Sequence, residues 1–323
     1  MSNYFPKTGD LSGWADFLSS SPPPMLAYTR HRLAALRLKG EAIVPSEIAA
    51  IGLSDPLFSA KVISDIQSTR NKHRAMDITT IEHALMMQGI DPFYQRIEGA
   101  ALLDEQITPG GLAHLAILAL AKRGYVASRL ARQWAEKSLD MHPEELQVAA
   151  LIHDIAEILL WLKAPGHALL IKKVMDESPS MRSTAAQQRI LGFTLTALTA
   201  EIAHRWGLPD ILSRLFSGED LSPRIRTVSL AVRVARHSSQ SWANPALPDD
   251  WSAVASKRWL GFASASEAKV ATVPFVDGLC SRWDGYNSAA RESLPKSLAL
   301  KSTVSRGLSP DPRVDAQAPA RHA

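Results

Sequence analysis

The chain has 323 residues, 46% of them hydrophobic and 21% charged, an ordinary globular composition with enough apolar material for one large domain or two modest ones. Its single cysteine, Cys280, excludes an intramolecular disulfide, and the formal charge of +4 is not a nucleic-acid footprint: Tyr286–Ala323 holds six basic and three acidic residues, giving +3, so the rest carries only +1. The most apolar runs, Leu112–Ala121 and Ile155–Leu162, fall short of the roughly 20 residues a bilayer span needs, and the N-terminus lacks a basic-then-apolar secretory layout.

Residues 1–24 end in Ser-Pro-Pro-Pro and read as an extended lead-in. Met25–Lys39 reads as a helix, Pro45-Ser46-Glu47 opens a second through Ile51, and Ser54-Asp55-Pro56 opens a third, with Ser54 or Asp55 as N-cap. Ile81–Gln88, closed by Gly89, and Pro92–Leu103 complete a helical lobe over residues 25–108. Pro109-Gly110-Gly111 is the clearest internal break. Beyond it Leu112–Lys137 is long and alanine-rich, and Glu144–Leu162 repeats its apolar residues at three- and four-residue steps, which predicts one buried helix.

That stretch carries His153-Asp154 at its centre. A buried carboxylate must be paired or neutralised, so Asp154 needs a partner. Further helices are expected over His167–Glu177, Thr184–Leu191, Leu195–Trp206 and Arg224–His237, closing a second lobe over residues 112–240. Arg224, Arg226, Arg233 and Arg236 read as a solvated helix face. Residues 241–285 are expected to add helices packed by Trp251, Trp259 and Phe262, and residues 286–323 to form a disordered tail. The expected fold class is all-α, in two helical lobes.

Four passages in order carry a family resemblance over roughly residues 22–240. They are IVPSEIAAIGLSDPLFSAKVI (residues 43–63), ITTIEHALMMQGI (78–90), LQVAALIHDIAEILLW (146–161), and Gly192 followed by a helix ending Trp206-Gly207-Leu208-Pro209. Together they resemble the HDOD family, the HD-related output domains of bacterial signalling proteins. The resemblance implies an all-helical fold, an N-terminal bundle against an HD-type lobe, and a role in bacterial regulation; the single cysteine and the N-terminal composition point to a reducing, cytoplasmic compartment.

HD hydrolases hold one or two metals with a first His, the His-Asp pair, further His residues and a late Asp, and use them to activate water against phosphoesters. Matched to that pattern, the first His is replaced by Arg123 or Gly124, the His after Gly192 by Leu195, and the later His pair falls near Leu215–Gly218, where no His occurs. Two readings follow. In one, His153 and Asp154 still hold a metal with Glu157 and either His204 or His114. In the favoured one, Asp154 is satisfied by hydrogen bonds or a salt bridge, with Arg123 the candidate, since an arginine in a ligand's place repels a cation. The degenerate site is then His153, Asp154, Glu157, Arg123 and Leu195, with no metal, no cofactor and no catalytic residue. The expected function is a non-catalytic regulatory module with a separate signalling protein as partner; the alternatives are a metal-dependent phosphohydrolase acting on nucleotides or cyclic dinucleotides, and a nucleic-acid-binding regulator. Neither the partner's identity nor an oligomeric state is written in the sequence.

Overall fold

The computed structural model describes residues 5–38, 40, 43–69, 79–178, 180–208, 214–215, 222–239 and 241–293. Among these the chain is helical throughout, and its one β-bridge, Met25 to Leu102, is isolated. No helix among the described residues is long and apolar enough to cross a membrane.

The N-terminal lobe consists of α2 (Ala27–Arg37), α3 (Pro45–Gly52), α4 (Pro56–Thr69), α5 (Ile81–Gln88), α6 (Ile90–Glu98) and the single turn α7 (Leu103–Gln106). Leu33, Ile48, Leu57, Phe58, Ile63, Ile81 and Phe93 fill its core. Asp55 is fully buried and pins two helix starts together. Its Oδ1 accepts from the Leu57 and Phe58 N–H groups at 3.0 Å, capping α4, and its Oδ2 accepts from the Leu26 N–H and the Thr29 hydroxyl at 2.8 Å on α2.

The second lobe is arranged on α8 (Leu112–Lys137), 26 residues or about 39 Å long. Against it lie α9 (Pro143–Leu151), α10 (Ile155–Lys163) and α14 (Pro223–Ser238), with α11 (Pro165–Glu177), α12 (Ser183–Leu191) and α13 (Leu195–Arg205) around them. A contiguous apolar core runs through both lobes.

Three expectations are corrected. Glu144–Leu162 is two helices, α9 and α10, not one. The turn at Ile152 to Asp154 interrupts the ladder between them, where the Ile155 N–H donates to Ile152 (3.0 Å) instead of Leu151. The Leu151 carbonyl rests against α8, where a Cβ on Gly124 would lie 2.7 Å from it. Only glycine lets the two backbones meet this closely, and the close approach brings Asp154 under Arg123. The apolar stripe continues through the break, which is why periodicity alone reads it as continuous.

Residues 1–24 are not an extended lead-in, since Leu11–Ser19 forms helix α1. The Asp10 side chain accepts from the Gly13 N–H at 2.9 Å, and Trp14, Ala15 and Leu18 are buried against α10 and α13. The Gly9 N–H donates to the Leu191 carbonyl (2.7 Å), a contact that Gly192 permits by its positive φ and lack of a Cβ. The chain therefore begins on the second lobe before crossing to the first.

At the other end, α15 (Leu247–Ala255), a 3-10 turn at Arg258–Leu260 and α16 (Ala265–Ser293) follow. The expected packing by Trp251 and Phe262 is present. Helix α16 extends beyond residue 285, with Val276, Leu279 and Trp283 buried and Tyr286 packed on Tyr28, so the tail does not start at Tyr286. The rest of that expectation, residues 294–323, lies outside the described residues.

Candidate functional site: an arginine-closed His-Asp pair

His153 and Asp154 face α8 from the turn between α9 and α10. Asp154 occupies the N-cap position of α10 yet caps nothing with its side chain. Its Oδ2 accepts from Arg123 Nε at 2.7 Å and lies 2.6 Å from an Arg123 Nη2. Its Oδ1 meets His153 Nδ1 at 2.8 Å and accepts from Arg236 Nη2 at 3.2 Å. The Arg123 Nη2 also donates to Glu157 Oε2 at 2.9 Å. Glu157 is placed for this by its register, three residues beyond Asp154 and so on the same helix face.

The electrostatics follow from this geometry. Burial alone would raise the Asp154 pKa. Arg123, the hydrogen bond and charge of His153, and Arg236 override it and hold the carboxyl well below the usual carboxylate range. Burial would likewise lower the Arg123 pKa, but Asp154 and Glu157 hold the guanidinium protonated. Arg236 contributes one further feature: its Nε is buried without a hydrogen-bond partner.

Beside the network lies a hollow of about 50 Å³, bounded by His153, Asp154, Glu157, Gln187, Leu195 and Thr199 among others. That is room for a water or two, whose share of liquid volume is about 30 Å³ each. Leu195 is buried at its edge, with its N–H bonded to Gln187 Oε1 at 2.9 Å.

The other candidate ligands are elsewhere. His114 is buried near the start of α8, where its Nδ1 accepts from the Gly110 N–H (3.2 Å) and its Nε2 faces Asp104 (3.1 Å). Because Nδ1 is the acceptor, Nε2 carries the proton and donates to the carboxylate. His204 is exposed on α13. Of the segment matched to the family's later His pair, residues 216–218 lie outside the described residues.

A metal does not fit the residues present. Both Asp154 oxygens are committed to cationic or N–H partners, a guanidinium spans Asp154 and Glu157, and no group of three or more His, Cys, Asp or Glu among the described residues is arranged to hold a cation. Sequence reasoning missed Arg236. It lies 82 residues from Asp154, and its helix reads as a solvated face, yet Arg236 reaches Asp154, Arg233 binds the fully buried Asp250 (2.6 Å) and Arg224 binds Asp140 (2.9 Å) and Glu145 (2.8 Å). No local pattern marks such long-range pairings.

No curated protein matches the sequence. Among solved structures, a virulence factor (cj0248) from Campylobacter jejuni aligns with a TM-score of 0.61 at 15% identity, covering 80% of this chain and 95% of that one. The MmoQ response regulator from Methylococcus capsulatus aligns with a TM-score of 0.53 at 14% identity, covering 74% and 93%. At these identities the likeness is one of fold. The family model of the HDOD domain matches residues 24–219, well over half of the chain, and the protein belongs to the HDOD family.

Proposed function

We propose that this HDOD protein is a non-catalytic regulatory module of bacterial signalling, cytoplasmic, that works by binding another protein. The observation that carries the reading is the Arg123 guanidinium set across Asp154 and Glu157. An HD-type hydrolase needs its Asp free to take a metal, and here the place of a divalent cation is held by a side-chain cation whose charge no pH near neutrality removes. The hollow alongside, about 50 Å³, is far below the roughly 300 Å³ at which small-molecule pockets begin. The family's signalling context favours a partner protein over a substrate.

Metal analysis of the purified full-length chain, with incubation against a cyclic dinucleotide in the presence of manganese, tests this. The expected result is metal far below stoichiometric and no hydrolysis. Near-stoichiometric manganese, iron, nickel or zinc that disappears in His153→Ala, with turnover lost in parallel, would overturn the reading.

A further inference from the structure

The seam where α2, α8 and α16 meet holds a second polar cluster, built differently from the first. Aromatic rings join the three helices: Tyr28 against Trp283 at 5.0 Å, Tyr125 against Trp283 at 5.6 Å and Tyr28 stacked on Tyr286 at 6.2 Å. The Arg32 guanidinium lies over the Tyr286 ring, 4.1 Å from its centroid. Arg129 lies one turn beyond Tyr125 on α8 and Arg282 one turn before Tyr286 on α16, so each shares a helix face with a ring of this cluster; with Arg32 they act to lower the Tyr125 pKa, which burial and Tyr286 raise. Beside them opens a hollow of about 410 Å³, lined by His31, Arg32, Ala35, Leu36, Ile51 and Tyr286 among others.

The charge here is uncompensated. Arg123, Arg205, Arg224, Arg233 and Arg236 each grip a carboxylate, whereas among the described residues none is paired with Arg32, Arg129 or Arg282. The seam therefore carries guanidinium groups with no carboxylate paired to them, close to the apolar side chains of Ala35, Leu36 and Ile51. Guanidinium forks match carboxylates two bonds at a time, and Arg and Tyr are the residue types that most often anchor protein interfaces. An open hollow that mixes these features suits alternating acidic and apolar side chains better than it suits an enclosed small molecule.

We propose that this seam binds an acidic peptide segment of a partner protein, with carboxylates on Arg32, Arg129 and Arg282 and an adjoining apolar side chain in the hollow against Leu36 and Ile51. An occupant would touch α2 and α16 together and so bear on the joint between the lobes. The proposal deepens the interaction reading and rests on it for the existence of a partner. Its test involves no metal or hydrolysis, so its failure leaves that reading standing.

The test is fluorescence anisotropy of the full chain with a short labelled peptide of alternating glutamate and leucine, its lysine-for-glutamate counterpart as control. Binding only of the acidic peptide, weakening as salt rises, is expected. Arg129→Gln with Arg282→Gln should weaken it about tenfold or more, and adding Arg32→Gln should abolish it. Arg96→Gln with Arg189→Gln matches the double variant in net charge and, with Arg258→Gln added, the triple; these residues are exposed on other elements and the changes should leave affinity within about twofold. Because Arg32 packs on Tyr286, the Arg129 and Arg282 pair is the deciding variant, its fold checked by circular dichroism. No binding at low salt, equal loss from the control arginines, or preference for anionic vesicles over the peptide would each overturn the proposal.

Discussion

Two buried aspartates, Asp55 in the N-terminal lobe and Asp154 in the second, stand at the same kind of position, immediately before a helix, and solve the problem of a buried carboxylate in opposite ways. Asp55 is surrounded by neutral donors: three backbone N–H groups and one hydroxyl. Burial pushes its carboxyl up to about 6 despite those hydrogen bonds. Asp154 does no capping and is surrounded by cations, which hold it well below the carboxylate range even though burial opposes them. The contrast separates a carboxylate that organises backbone from one that neutralises charge. In an HD-type site the second role belongs to metal, and here it belongs to Arg123 and Arg236.

The comparison can be broken at several points. The largest effect is expected from Asp154→Leu, which takes the carboxylate from Arg236, leaves Arg123 only Glu157, and should cost about 3–5 kcal/mol in chemical denaturation. Next is pH dependence. Asp55 has a folded pKa near 6 against 3.8 unfolded, so the folded state binds more protons between those values. Its contribution makes stability fall as pH rises from about 4 to about 6, by up to roughly 3 kcal/mol. Asp154, with its pKa depressed, contributes stability that is present above the ordinary carboxylate range and lost as pH falls below it. Comparing denaturation at several pH values in wild type and Asp55→Asn should show the fall between pH 4 and 6 flattened in the variant; an unchanged slope would remove Asp55 from the explanation. The smallest effect is expected from Thr29→Val, which deletes one of four donors to Asp55 with little change of shape and should cost about 1 kcal/mol.

Much of this was legible in the residues. The all-helical class follows from periodicity and caps, Asp55 is one of two N-cap candidates, with Ser54, before Pro56, and Arg123 is a candidate partner for Asp154 because it stands where the family resemblance expects a ligand. What escaped notice did so for physical reasons. The turn at Ile152–Asp154 keeps the apolar stripe in register, so the break is invisible to spacing; its trace is Gly124, which permits the Leu151 carbonyl to approach. Helix α1 has a local signal in Asp10 followed by Trp14 and Leu18, but the Pro-rich run after it is the stronger local pattern and favours extended chain. Arg236 had no local signal, because its value to Asp154 comes from the packing of α14 on α8 and α9.

The proposed closure of the site requires Arg123 and Asp154 to act as a coupled pair. A double-mutant cycle with Arg123→Met and Asp154→Leu measures that coupling directly by urea denaturation. The double variant is expected to be more stable than the sum of the single losses allows, by about 1.5–3 kcal/mol. Losses that add to within about 0.5 kcal/mol would contradict it, and with it the assignment of Arg123 as the cation that closes the site.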